Sequence, residues 1–186
     1  MNKQINLKSV RFFPHWDETS ILQVTGFLHL VNYVINSQPI INNWVEIGSN
    51  LGESSTLLFG FTQIKKIHII EQSEYSCKLL NKKFENKIND NKCIIYNNFS
   101  KKILPSFLDN SIDCIYIDGN HDYDEVKIDI ELSIKKLTVN GFLCGHDYNK
   151  SWPGVIDAVN FFISTSKYNQ KDLILFEDSS WLIRKK

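Results

Sequence analysis

Short apolar runs rich in β-branched and aromatic residues recur along this chain, each followed by a longer amphipathic stretch, and no other feature restricts its fold as strongly. Parallel strands need crossovers of a dozen residues or more, usually helical, so the alternation predicts an α/β sheet. Strand runs fall at 44–48 (WVEIG), 66–71 (KIHIIE), 92–96, 111–117 (SIDCIYI) and 141–145. Helical spacing fills the intervals at 53–61, 73–87, 100–108, 122–136 and 153–164, with Tyr75, Leu79, Leu80 and Phe84 on one inner face and Val126, Ile130 and Ile134 on another. A first helix over 19–37 carries Leu22, Phe27, Leu30, Val31 and Val34, with Pro39 beyond its end. At the C-terminus, LILFED and SWLIRK are too close for a crossover, so they form an antiparallel hairpin and bring the strands to seven.

The 186 residues suit one domain, and 42% hydrophobic residues can fill an ordinary core. A formal net charge of zero gives no electrostatic signature of a nucleic-acid binder. No apolar run is long enough to span a bilayer, and MNKQINLKSVRFF lacks the apolar core and cleavage site of a signal peptide. Cys77, Cys93, Cys114 and Cys144 form no C-x-x-C pair and no zinc-ribbon spacing. They read as reduced, buried thiols of a cytoplasmic protein.

The segment WVEIGSNLGESS (44–55) is the first chemical signal. A strand delivers Glu46, Gly48 and Gly52 make a turn, and a helix opens at about 53–55. Glycines there admit close approach of a ligand to the backbone, and the free N–H groups of the helix start face the same crevice. The spacing is G-x-x-x-G, not the G-x-G-x-x-G that seats a pyrophosphate. S-adenosylmethionine carries no phosphate, so the looser turn suits it, and Glu46 suits its amino-acid end. A plain βα turn with two glycines would look the same in isolation. Glu71 ends the second strand 23 positions after Gly48, where an acid accepts hydrogen bonds from ribose hydroxyls; a solvated loop glutamate is the other reading.

The second and third signals are IDGNHDY (117–123) after the fourth strand and GHDY (145–148) after the fifth. Both lie at carboxyl ends of strands, where open α/β sheets bind ligands. They bring Asp118, His121, His146 and Asp147 toward one crevice. Two carboxylates and an imidazole can hold a divalent cation, which lowers the pKa of a bound hydroxyl, and a neutral histidine can take the released proton. Simpler roles exist for each: Asp118 bonding helix-start N–H groups, His121 solvated, His146 packed behind the site. Asp122 and Asp124 favour the start of the following helix electrostatically.

WVEIGSNLGESS, HIIEQS, the run CIYIDGNHDYDEVKIDIELSIKKLTVNGFLCGHDY and GVIDAVNFF stand in the order found in class I methyltransferases. From Trp44 onward the chain most resembles the small-molecule O-methyltransferases that include macrocin and mycinamicin sugar methyltransferases, with the cephalosporin hydroxylase-like proteins as relatives. The resemblance implies a Rossmann-like, mostly parallel seven-stranded sheet of order 3-2-1-4-5-7-6, strand 7 antiparallel, with helices on both faces. It implies a single domain over 1–186, with 1–43 as an N-terminal helical cover and 44–186 as the cofactor-binding core. S-adenosylmethionine would be held by Glu46, Gly48, Ser49, Asn50, Gly52, Ser54, Glu71, Gln72, Asn98 and Asp118. Asp118 and His121 would be catalytic, His121 as general base, and Asp118, His146 and Asp147 would hold Mg2+ or another divalent metal.

Two positions depart from the pattern. Asn98 stands where the family often has an aspartate that contacts adenine, and His146 stands where the metal-dependent sugar enzymes are acidic, which reduces the negative charge around a hard cation. The long N-terminal region of larger relatives is also lacking, so their acceptor specificity does not carry over.

The expected activity is methyl transfer from S-adenosylmethionine to a hydroxyl of a small molecule, such as a sugar, by a protein that needs neither membrane nor nucleic acid and is free to form a homo-oligomer. The alternatives are a non-catalytic S-adenosylmethionine-binding protein of the same fold and a nicotinamide-dependent oxidoreductase, which lacks its glycine fingerprint here. The N-P-P-Y-type motif of amino-methylating DNA enzymes is missing. Phe12, Phe13 and Trp16 are candidates for a substrate cover or for packing against the sheet, and Trp152 and Pro153 for the rim of an acceptor pocket or for helix-start packing.

Overall fold

The structure, a computed structural model, describes residues 18–186; Phe12, Phe13 and Trp16 lie outside them. A seven-stranded sheet is built from β1 (Ile41–Ile47), β2 (Ile64–Glu71), β3 (Cys93–Asn97), β4 (Ile112–Ile117), β5 (Leu137–Gly145), β6 (Leu173–Leu175) and β7 (Trp181–Arg184). The order is β3-β2-β1-β4-β5-β7-β6. The first five strands pair in parallel, and β7 lies antiparallel to both β5 and β6. This is the expected topology, with the hairpin tucked between β5 and the sheet edge.

The strand interiors are apolar on both sides, as a sheet covered on both faces requires. Trp44, Ile67, Ile69, Cys114, Tyr116 and Phe142 point to one core, which α1 (Glu18–Ser37), α2 (Glu53–Leu58) and α3 (Glu74–Lys83) complete. Val45, Ile47, Ile115, Ile117 and Leu143 point to the other, completed by α6 (Tyr123–Lys136) and α7 (Pro153–Thr165). Helix α1 places Phe27, Leu30, Val31 and Val34 in the first core, so it is a layer of the fold as well as a neighbour of the crevice. All four cysteines are buried free thiols. Among the described residues no helix is long and apolar enough to cross a membrane.

Several elements differ in extent from the periodicity. The helix expected over 73–87 is divided at Phe84, whose backbone (φ −108°, ψ 17°) separates α3 from α4 (Glu85–Asn89) while its ring is buried against the turn at Gly52. The helix expected over 100–108 stops after one turn, α5 (Ser100–Ile103), and tightens into a 3-10 turn over Leu104–Ser106. Pro105 there has no N–H to continue an α-helical ladder. Strand β5 begins four residues early because Leu137 pairs with Ile112 before a register shift; the solvent-facing Val139 and Asn140 break the apolar run and hid this extension.

One core polar group has a consequence for stability. His68 on β2 is buried, with Nδ1 3.1 Å from the Tyr96 hydroxyl and Nε2 3.1 Å from Asn43 Oδ1. Burial, aided by the charge of Lys66, pushes its pKa down to about 4. The unfolded chain takes up this proton near pH 6.5 and the folded chain only near 4, so acid favours unfolding across that window. Relative to His68→Gln, which cannot titrate, the natural protein should lose about 3 kcal/mol between pH 7 and pH 4. Urea titrations at both pH values measure the difference, and a pH-independent gap would refute it.

Candidate active site

The strand order reverses between β1 and β4, and the loops leaving these strands part there to open a crevice at their carboxyl ends. The backbone ladder runs past the strand ends and locks these loops together. Gly48 N–H donates to Ile70 O (2.9 Å), Asp118 N–H to Ile47 O (2.8 Å) and His146 N–H to Ile117 O (3.0 Å). Gly48 is in the left-handed region at φ 81°, and a Cβ on it would lie 2.3 Å from the Asp118 carbonyl oxygen. Glycine at this point lets the first turn touch the loop after β4. Gly52, at φ 74°, is needed for a different contact: a Cβ there would meet Leu80 and Phe84 on and beside α3.

On the β2–β3 side lies a cavity of about 370 Å³, lined among others by Gly48, Asn50, Glu71, Gln72, Asn98 and Asp118. Glu71 is buried and joins two elements. Its Oε2 accepts the Asn50 N–H (2.9 Å) and its Oε1 the Ser73 N–H (2.8 Å). Each carboxylate oxygen keeps a further acceptor direction. Asn98 is exposed, and its Oδ1 accepts the N–H of Phe99 (2.9 Å), so its side chain is engaged in shaping its own loop.

Glu46 takes a supporting place. It is fully buried and accepts hydrogen bonds from the hydroxyls of Ser54 and Ser55, with Ser49 Oγ 3.0 Å from Ser55 Oγ. Burial raises its carboxyl, and the serine hydroxyls oppose that rise. These bonds fasten the start of α2 to β1, and Ser54 lines the second cavity.

That second cavity, about 360 Å³, lies on the α1 side and is walled by Phe27, Leu57 and Trp152 and by the acids Glu53, Asp118, Asp147 and Asp178. Asp118 lines both cavities. Burial drives its carboxyl well above the usual range; the positive charge of His146 opposes this, and Asp147, Glu46 and Asp178 reinforce it. His146 sits among the acids, with Nδ1 3.3 Å from Asp147 Oδ1 and 3.7 Å from Asp118 Oδ1, and Nε2 3.8 Å from Asp178 Oδ2. Burial alone would lower its pKa, but the bond to Asp147 and the three carboxylates raise it to about 9. Asp147 stays below the usual carboxylate range because His146 and His121 outweigh its own burial.

His121 Nε2 lies 2.6 Å from Asp147 Oδ2, and its ring stacks on Trp152 with centroids 4.1 Å apart. Donor atoms of Asp118, His121 and Asp147 lie within 4.8 Å of one another, a spacing compatible with one cation. The convergent set therefore contains His121 in the place expected of His146. His146 lies beside this set, with Nδ1 3.3 Å from Asp147 Oδ1 and 3.7 Å from Asp118 Oδ1.

Sequence reasoning passed over Asp178. It lies in the turn between β6 and β7, buried against α1, where a Cβ on Gly26 would come within 2.3 Å of its Oδ1. Only the antiparallel insertion of β7 beside β5 brings it to the crevice, and no local pattern encodes that.

The methyltransferase domain family matches residues 45–148, more than half of the chain. The chain belongs to this family. The matched region runs from β1 to the loop after β5, so it contains Gly48, Glu71, Asp118, His121 and Asp147. The nicotinamide reading gives way to this membership. No curated protein matches the chain by sequence. Solved structures share the fold. A Streptococcus mutans protein provisionally named a methyltransferase, solved in complex with SAH, aligns at TM-score 0.62 and 14% identity over 86% of this chain and 97% of that one. N-methyltransferase NodS from Bradyrhizobium japonicum aligns at 0.62 and 13% over 88% and 95%. A Staphylococcus aureus protein provisionally named a caffeoyl-CoA O-methyltransferase aligns at 0.63 and 15% over 91% and 93%. The methyltransferase-domain chain thus has the Rossmann-like fold of S-adenosylmethionine-dependent methyltransferases.

Proposed function

We propose that this methyltransferase-domain protein transfers a methyl group from S-adenosylmethionine to a hydroxyl of a small molecule such as a sugar, as its resemblance to the macrocin and mycinamicin enzymes implies. The observation that carries the reading is the position of Asp118 in the walls of both cavities. One cavity offers a ribose-type acid and a glycine turn; the other offers acids, the His146 imidazole and an aromatic wall, with His121 reached through Asp147 and Trp152. A volume of about 370 Å³ lies within the range of ligand sites.

When bound, S-adenosylmethionine supplies an electrophilic methyl group. Glu71, with spare acceptor directions, binds the ribose diol. Asp118 would hold the junction and orient an acceptor hydroxyl in the second cavity toward the first, and such positioning would provide much of the rate. His121, oriented by Asp147 and Trp152, receives the hydroxyl proton. His146 offsets the charge of Asp118, Asp147 and Asp178.

A second reading rests on the 4.8 Å convergence of Asp118, His121 and Asp147. The reaction is the same, but Asp118, His121 and Asp147 would hold a divalent cation, whose chemistry would be to acidify the acceptor hydroxyl. Turnover that survives chelation keeps His121 as base; turnover lost on chelation and restored by Mg2+ or Mn2+ makes it a ligand. The reading as a whole is tested by calorimetric titration with S-adenosylmethionine and S-adenosylhomocysteine. One saturable site is expected, and no heat at millimolar ligand from folded protein would remove it.

A further inference from the structure

From the walls of the larger cofactor-side cavity we infer that Asp129, on α6, is the residue that recognises the adenine amino group; the inference rests on the function proposed above. The strand order sets the direction of the ligand. Asp118 follows β4, Glu71 ends β2, and Asn98, Phe99 and Ser100 follow β3 at the far side. A nucleoside with its ribose at Glu71 and its sulfur toward Asp118 carries its base toward 98–100.

Asn98, the residue expected to meet the base, spends its Oδ1 on the Phe99 N–H. The acid in the same wall is Asp129. It is only 4% exposed, and its Oδ1 accepts the Ser100 hydroxyl at 2.5 Å. Among the described residues no hydrogen bond reaches its Oδ2. A buried carboxylate in a cavity wall, with one oxygen unbonded within the protein, is costly unless a donor arrives there. Burial accordingly lifts the carboxyl to about 6, against the Ser100 bond. The neighbouring Glu125 is already paired with Lys101 (2.9 Å). Phe99, 52% exposed in the same wall, offers a flat apolar face to a ring.

An amino group at C6 donates to a carboxylate, whereas the oxo group of hypoxanthine cannot. A site built for the donor rejects the analogue because its own polar group is left unpaired. Titration of the full chain with S-adenosylhomocysteine and with S-inosylhomocysteine therefore reads the assignment. The natural protein should prefer the adenosyl ligand at least tenfold. Asp129→Asn, which can donate as well as accept, should bring the two affinities within about threefold, with the loss falling on the adenosyl ligand. Should Asp129→Asn fail to fold, Asp129→Ser should show the same collapse of the ratio. An unchanged ratio in a folded variant, or equal binding by the natural protein, overturns the assignment and leaves Asp129 as a tie between α5 and α6. If the natural protein binds neither ligand, the proposed function itself fails and takes this inference with it.

Discussion

Gly48→Ala should lower stability by roughly 3–5 kcal/mol and abolish binding of S-adenosylhomocysteine, adding left-handed strain to a core-type overpacking clash. Two costs coincide at this residue. The backbone is at φ 81°, where a Cβ meets its own chain, and the added carbon would lie 2.3 Å from the Asp118 carbonyl oxygen and 2.5 Å from Gly119 Cα. Both neighbours are backbone, so neither can rotate away. Relief requires the loop after β4 to withdraw from the loop after β1, which breaks the Asp118 N–H bond to Ile47 and moves Asp118 out of the wall it shares between the two cavities. Gly119→Ala is the control. Its nearest added contact is Ile47 Cγ2 at 3.4 Å, ordinary packing distance, and its backbone is not left-handed. That variant should stay within about 1 kcal/mol of the natural protein. Guanidinium denaturation gives the stabilities, and calorimetry gives the affinities. A Gly48→Ala protein with natural midpoint and natural affinity would show that the two loops are not coupled as described.

The same glycine illustrates what the sequence made legible. The turn between a strand and a helix, the acid 23 positions on, and the two acid-histidine segments after strands four and five were readable because each is a local pattern at the end of an element. The sheet order follows from the alternation together with the terminal hairpin and the family resemblance. What was not legible depends on contacts between distant elements. Gly52 reads as a ligand-approach residue, but its space is taken by Leu80 and Phe84. Asp178 becomes part of the site only because β7 enters the sheet between β5 and β6 and because Gly26 leaves room for it on α1. Asp129 lies in the middle of a helix whose pattern announces only packing. That His121 rather than His146 joins Asp118 and Asp147 in the convergent set depends on how the loops after β4 and β5 pack, which no spacing rule in the sequence gives.

His121→Ala should reduce turnover by about 10²–10⁴-fold, the usual range for loss of a positioned general base, while changing S-adenosylhomocysteine affinity by no more than about threefold. The separation follows from geometry. His121 contacts Trp152 and Asp147 on the acceptor side, whereas the ribose acid Glu71 and the first turn stand on the other side of Asp118. Loss of the ring removes the stack on Trp152 and one charge-assisted bond to Asp147, a structural cost of about 1–2 kcal/mol that a stable core absorbs. Asp147→Asn gives an independent check. It leaves the His121 ring stacked but removes the carboxylate that orients it, so turnover should again fall at least tenfold with cofactor affinity retained. Release of S-adenosylhomocysteine from single-turnover mixtures, using an acceptor found among hydroxylated glycosides, measures both variants. The two losses should not multiply in the double variant, because Asp147 acts through His121. A double variant slower than either single variant by the product of their losses would mean that the two residues act separately. Full turnover in His121→Ala would mean that the acceptor proton leaves by another route.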